Sequence, residues 1–132
     1  MAYVHVNTNP DGKIVDDCVI RAVGIALNMT WDETYDALAD MGFHMKNLPN
    51  ADVVWGAFLR SMGFVKDHIP NTCPDCYTVR DFAFDHPKGI YVLGTGTHAV
   101  CIIDGDWMDI YDSGDNVPLF FWVDDSYLHT KL

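Results

Sequence analysis

Between positions 18 and 28 the chain is apolar almost without a break. Val19, Ile20, Ala22, Val23, Ile25, Ala26 and Leu27 cover most of a helical circumference. Only Arg21, Gly24 and Asn28 interrupt them, at i, i+3 and i+7, which makes one thin polar stripe. The pattern predicts a buried helix with that stripe outermost. Asp16 or Asp17 can serve as its N-cap, because a short carboxylate accepts a hydrogen bond from a free N–H of the first turn. Cys18 follows at once.

The same 3.6-residue period predicts more helices. Thr30 and Glu33 spell a capping box, and Tyr35, Leu38 and Met41 share a face, so a helix is expected over 31–41 with Gly42 ending it. Asn50 caps a third, over 51–62, with Val54, Phe58 and Met62 on one side. Thr78 and Asp81 open a short fourth that runs to about residue 85. A brief strand is expected at 3–6 and an edge strand at 64–69. From residue 89 the period changes to two: strands at 89–94 and 97–104, a hairpin turn at Asp104-Gly105, its partner at 107–112 and a last strand at 119–123. The tail from Asp124 is polar. Helices first and an antiparallel sheet second make an α+β class.

Length adds that this is one domain. At 132 residues and 49% hydrophobic, the chain buries one core over 1–132, with a helical half of about 14–85 and a sheet half of 86–123. Charge removes two partner classes. A net −11, with 8 Lys+Arg against 19 Asp+Glu, repels nucleic acid and anionic membranes. The first residues lack a basic stretch followed by an apolar run, and no apolar segment approaches a membrane span. The expectation is a cytoplasmic protein with reduced thiols, so Cys18, Cys73, Cys76 and Cys101 are read as core, metal or catalytic before disulfide.

A cysteine at a helix start is either inert core or a nucleophile whose thiolate the helix dipole favours. A nucleophile needs a base, and the base needs an orienting acceptor. His98 opens a strand, and the hairpin returns Asp109 and Asp112 beside it. With a two-residue turn, Asp109 faces Val100 and Asp112 faces Thr97. With a three-residue turn, Asp112 faces His98. Cys101, on the other face of that strand, is read as core.

Cys18 on a buried helix, a late His98-Ala99-Val100 strand and a hairpin ending in Asp112-Ser113 together resemble a minimal papain-like cysteine peptidase of bacterial or phage type. The resemblance covers most of the chain. It implies a papain-like fold and a cysteine hydrolase that cleaves peptide, isopeptide or related amide bonds with no cofactor. Its substrate would be a peptide or protein, in a bacterial or phage-infected cytoplasm. It implies a triad of Cys18, His98 and Asp112, because family members place an Asn or Asp, often followed by Ser, on the strand after the histidine. Asp109 is the alternative acid. Two departures stand out. Where the family has an oxyanion-hole amide some six residues before the cysteine, this chain has Gly12, with Asn9 the nearest amide side chain. Asp16 and Asp17 also set negative charge beside the thiol. An inactive papain-fold binding protein, such as a phage protein masking a host factor, is therefore the second expectation. The third is a zinc-binding interaction module through Cys73 and Cys76, with His68 and His86 as further ligands. Trp31, Trp55, Trp107 and Trp122 are read as core, one or two of them lining a groove beside His98.

Overall fold

A computed structural model describes residues 1–124. Four helices and a six-stranded mixed sheet alternate in the order β1 (Tyr3–His5), α1 (Cys18–Leu27), α2 (Trp31–Met45), α3 (Asp52–Ser61), β2 (Phe64–His68), α4 (Val79–Asp85), β3 (Ile90–Gly94), β4 (Ala99–Ile103), β5 (Asp106–Asp109) and β6 (Phe120–Asp124). The strands lie in the order β1-β5-β4-β3-β6-β2. All neighbours are antiparallel except β1, which pairs parallel with β5. The α+β expectation therefore holds, and β2 is an edge strand as expected.

Strand alternation sorts the core into two layers. Val92, Ala99, Cys101, Phe120 and Trp122 face α1, α2 and α3, where they meet Val23, Leu38, Trp55 and Leu59. Tyr91, Leu93, Val100, Ile102 and Val123 face the other way, onto Val79, Phe82 and Ala83 of α4. The helical segment is thus not one half stacked on the sheet. Its last helix covers the opposite face.

The hairpin forms with the two-residue turn. Ile103 pairs with Asp106 and Cys101 with Met108, and both Asp104 (φ 49°) and Gly105 (φ 82°) are left-handed. Other boundaries moved. Gly42 lies inside α2, which runs on to Met45; the left-handed residue that stops the helix is Lys46, whose N–H reaches the Gly42 and Phe43 carbonyls. Gly42 is needed for closeness instead: a Cβ there would sit 2.7 Å from the Asn47 carbonyl oxygen. The third helix is capped by Ala51 rather than Asn50, without a side-chain bond. The Thr30 and Thr78 capping boxes both form.

The polar stripe on α1 is not outermost. Arg21 is 4% exposed, and Gly24 is buried where α2 crosses, its α-carbon facing the Thr34 hydroxyl. Only Asn28 reaches solvent, as the left-handed C-cap.

Candidate active site

The site sits where three elements end together. Cys18 is the first residue of α1, His98 immediately precedes β4, and Asp109 is the last residue of β5. β4 and β5 are antiparallel, so the start of one lies beside the end of the other. α1 packs across β4 and brings Cys18 to that same end.

His98 links the other two. Its Nε2 meets Asp109 Oδ2 at 2.6 Å, and its ring shares the cleft wall with Cys18, close enough that each perturbs the other's titration. Burial alone would raise the Cys18 thiol; the His98 and Ala99 hydrogen bonds and the His98 and Arg21 charges outweigh it and hold the thiol below its ordinary value. Burial would likewise lower His98. The hydrogen bonds to Asp109 and Cys18 and their charges prevail, and lift it to about 9. Both shifts run in the direction of a thiolate–imidazolium pair.

Asp109 is 1% exposed and its carboxylate is saturated. Oδ1 accepts from Arg21 Nη1 at 2.9 Å and from the Ile110 N–H at 2.8 Å. Oδ2 accepts from His98 and from the Ser113 hydroxyl, the latter at 2.8 Å. Burial pushes this carboxyl up, but His98, Ser113 and Arg21 hold it below its ordinary value.

This corrects the assignment of Asp112. Its carboxylate accepts from the Trp107 indole N–H at 2.8 Å and from the Gly114 N–H at 3.0 Å, away from the histidine. The strand ends at Asp109, so the pairing never continues to a Thr97–Asp112 step. The Ser of the expected Asp-Ser pair does reach the site, but it bonds Asp109.

Asn9 is not at the site either. Its side-chain oxygen accepts from the Asp11 and Lys13 N–H groups and closes its own turn. The cleft above the sulfur, about 270 Å³, is lined by Asp16, Cys18, Val19, Asn50, Asp52, Trp55 and residues 96–99. Asn50 supplies the amide side chain there, and Trp55 is the groove tryptophan. At the α1 N-terminus Asp17 makes no side-chain cap, so its carboxylate takes none of the first-turn N–H groups. It is spent on Arg21 Nε at 2.8 Å and on the Trp31 indole N–H at 2.9 Å. Its charge is thus compensated rather than aimed at the thiol.

Arg21, Ser113 and the compensation of Asp17 escaped the sequence reading. One signal was present. Asp17 and Arg21 are an i, i+4 acid–base pair on a helix otherwise apolar all round, where a charge is either exposed or buried with a partner.

The other cysteines have different fates. Cys101 is buried core, and burial pushes its thiol up. Cys73 and Cys76 are joined by a disulfide, which corrects the expectation of reduced thiols. His86 is stacked on Phe82 with Nδ1 against the Phe82 carbonyl. Among the described residues no group of three or more His, Cys, Asp or Glu side chains could hold a metal, so the zinc reading finds no ligand set. Nor is any described helix long and apolar enough to cross a membrane.

The fold and site together define an α+β protein in which a cysteine at the start of a buried helix shares a cleft with a histidine hydrogen-bonded to a buried aspartate. No family model, curated protein or solved structure matches the chain.

Proposed function

We propose that the protein is a cysteine hydrolase of papain-like type acting on peptide, isopeptide or related amide bonds. The single observation that carries this is His98, bonded to the buried Asp109 carboxylate, lining the same open cleft as Cys18. The Cys18 thiolate attacks the carbonyl carbon. The resulting oxyanion faces the free first-turn N–H groups of α1, the Cys18 N–H among them. The imidazolium of His98 protonates the leaving amine as the C–N bond breaks, giving a thioester. Neutral His98 then takes a proton from water, hydroxide displaces sulfur, and the acid leaves as the proton returns to the Cys18–His98 pair. Asp109 keeps the ring oriented and balances its charge throughout.

The test is an activated peptide ester. A thioester adduct on Cys18 by mass spectrometry, with turnover that Cys18→Ala abolishes, is the expected result. Hydrolysis that survives Cys18→Ala would refute it.

A second reading, a papain-fold binding protein without turnover, is favoured by one observation. Gly12 and the self-satisfied Asn9 leave the usual amide of the oxyanion hole unsupplied from the segment before the cysteine. Under that reading Cys18→Ala keeps the biological effect, whereas the hydrolase loses it.

A further inference from the structure

Five side chains at this end of the molecule form a line of alternating charge. From the nucleophile it runs through Cys18, His98, Asp109, Arg21 and Asp17, and Asp17 is next to Cys18 in the chain. Two of its members, Arg21 and Asp17, lie outside the reaction described above. Both are almost fully buried, at 4% and 5% exposure.

We propose that Arg21 is a positioning residue of the site, whose guanidinium fork holds Asp109 in place and ionised so that Asp109 can hold His98. The proposal rests on the hydrolase reading of Cys18 and His98. The fork is spent in two directions. Nε donates to Asp17 at 2.8 Å and Nη1 donates to Asp109 at 2.9 Å. By taking Oδ1, together with the Ile110 N–H, Arg21 leaves Oδ2 for the histidine and Ser113. A rotated carboxylate would lose that division.

Charge gives the second part of the argument. Among the described residues the ion-pair partners of Asp109 are Arg21 and His98. When His98 hands its proton to the leaving group, Arg21 becomes the one cation still beside a carboxylate that is 1% exposed. A buried carboxylate without a cation takes up a proton, because a lone charge in a low-dielectric interior is costly. Protonated, Asp109 no longer favours a second imidazolium for the deacylation step. Arg21 therefore preserves the acceptor in the half of the cycle when His98 is neutral. Asp17 in turn accepts from Arg21 Nε and fixes the other side of the fork. The fork matters because an ammonium is a point charge and does not span two carboxylates in the same planar geometry.

The experiment measures the pH dependence of Cys18 alkylation by iodoacetamide, resolved by residue with mass spectrometry. It compares the wild type, His98→Ala, Arg21→Met and Arg21→Lys, and records urea unfolding of each. The expected result is a wild-type Cys18 inflection below that of a free thiol, raised by about one pH unit in Arg21→Met, with Arg21→Lys falling between. If Arg21→Met does not fold, Arg21→Lys alone decides, since it keeps the charge and loses the fork. A purely structural Arg21 predicts lower stability with an unmoved inflection in the folded variants, and that result overturns the proposal while leaving the hydrolase reading intact. A wild-type inflection that is ordinary, or that His98→Ala does not move, overturns both.

Discussion

Two clusters in this molecule are made of the same parts. On the α1 side, Arg21 pairs with Asp17 and Asp109, and the Trp31 indole N–H donates to Asp17. On the α4 side, Arg80 pairs with Asp115 and lies 3.9 Å from Asp112, and the Trp107 indole N–H donates to Asp112. The difference is water. The side chains of Arg21, Asp17 and Asp109 are at most 5% exposed, whereas Arg80 and Asp112 are half exposed and Asp115 is 86% exposed. Solvated charges are screened and gain little from pairing. Buried ones depend on every partner, because removing one strands the rest. An arginine, a tryptophan and two aspartates therefore become part of a buried network beside the candidate site at one place and a surface feature at the other.

The largest effect that separates the clusters is on stability. Asp109→Ala strands Arg21 beside an empty acceptor position and should cost about 3–5 kcal/mol in urea unfolding. Arg80→Met should leave the midpoint unchanged within error. Equal losses would mean that burial is not what distinguishes them.

Next comes reactivity. Asp109→Asn keeps the shape but removes the charge that stabilises the imidazolium. Iodoacetamide should modify Cys18 about ten- to a hundredfold more slowly at pH 6 than in the wild type, in proportion to the lost thiolate. Asp112→Asn should match the wild type. A slower Asp112→Asn with a normal Asp109→Asn would restore Asp112 as the orienting acid.

A smaller effect lies in acid. Asp109 is held below its ordinary value, so its contribution to stability is complete above the unfolded value of about 3.9 and is lost as pH falls through the lower folded one. The urea midpoint of the wild type should fall across that window. In Asp109→Asn the fall should be clearly shallower; in Asp112→Asn, whose carboxyl is also held below its ordinary value but in solvent, the slope should change less.

The smallest effect concerns the cleft. It carries Asp16 and Asp52 and no Lys or Arg. A cationic thiol reagent should therefore react with Cys18 several-fold faster than an anionic one, each normalised to a free thiol, and the ratio should shrink with salt. A ratio that ignores salt would remove any field at the site.

Much of this was legible in the chain. The hairpin turn followed from Asp104-Gly105, with its length left open between two and three residues, and the helix starts at Thr30 and Thr78 followed from their capping boxes, because turn and cap chemistry are local. Cys18 and His98 were found by chain order and element type. The choice of acid was not, since it depended on where β5 stops, and that is decided by Ser113 and Trp107 claiming Asp109 and Asp112 respectively. Arg21 was misplaced for a related reason. A polar residue on a helix reads as solvent-facing unless its partner is known, and Asp109 lies 88 residues away. Gly42 was read as a stop when its role is a close approach to residue 47. The Cys73–Cys76 disulfide went against a compartment argument, which composition could not test.

The most direct test is the pH dependence of Cys18 alkylation in the wild type beside His98→Ala. A Cys18–His98 ion pair backed by Asp109 predicts an inflection below the ordinary thiol value that moves up when His98 is removed, with Cys101 unmodified throughout. An inflection at the ordinary value in both proteins would contradict it.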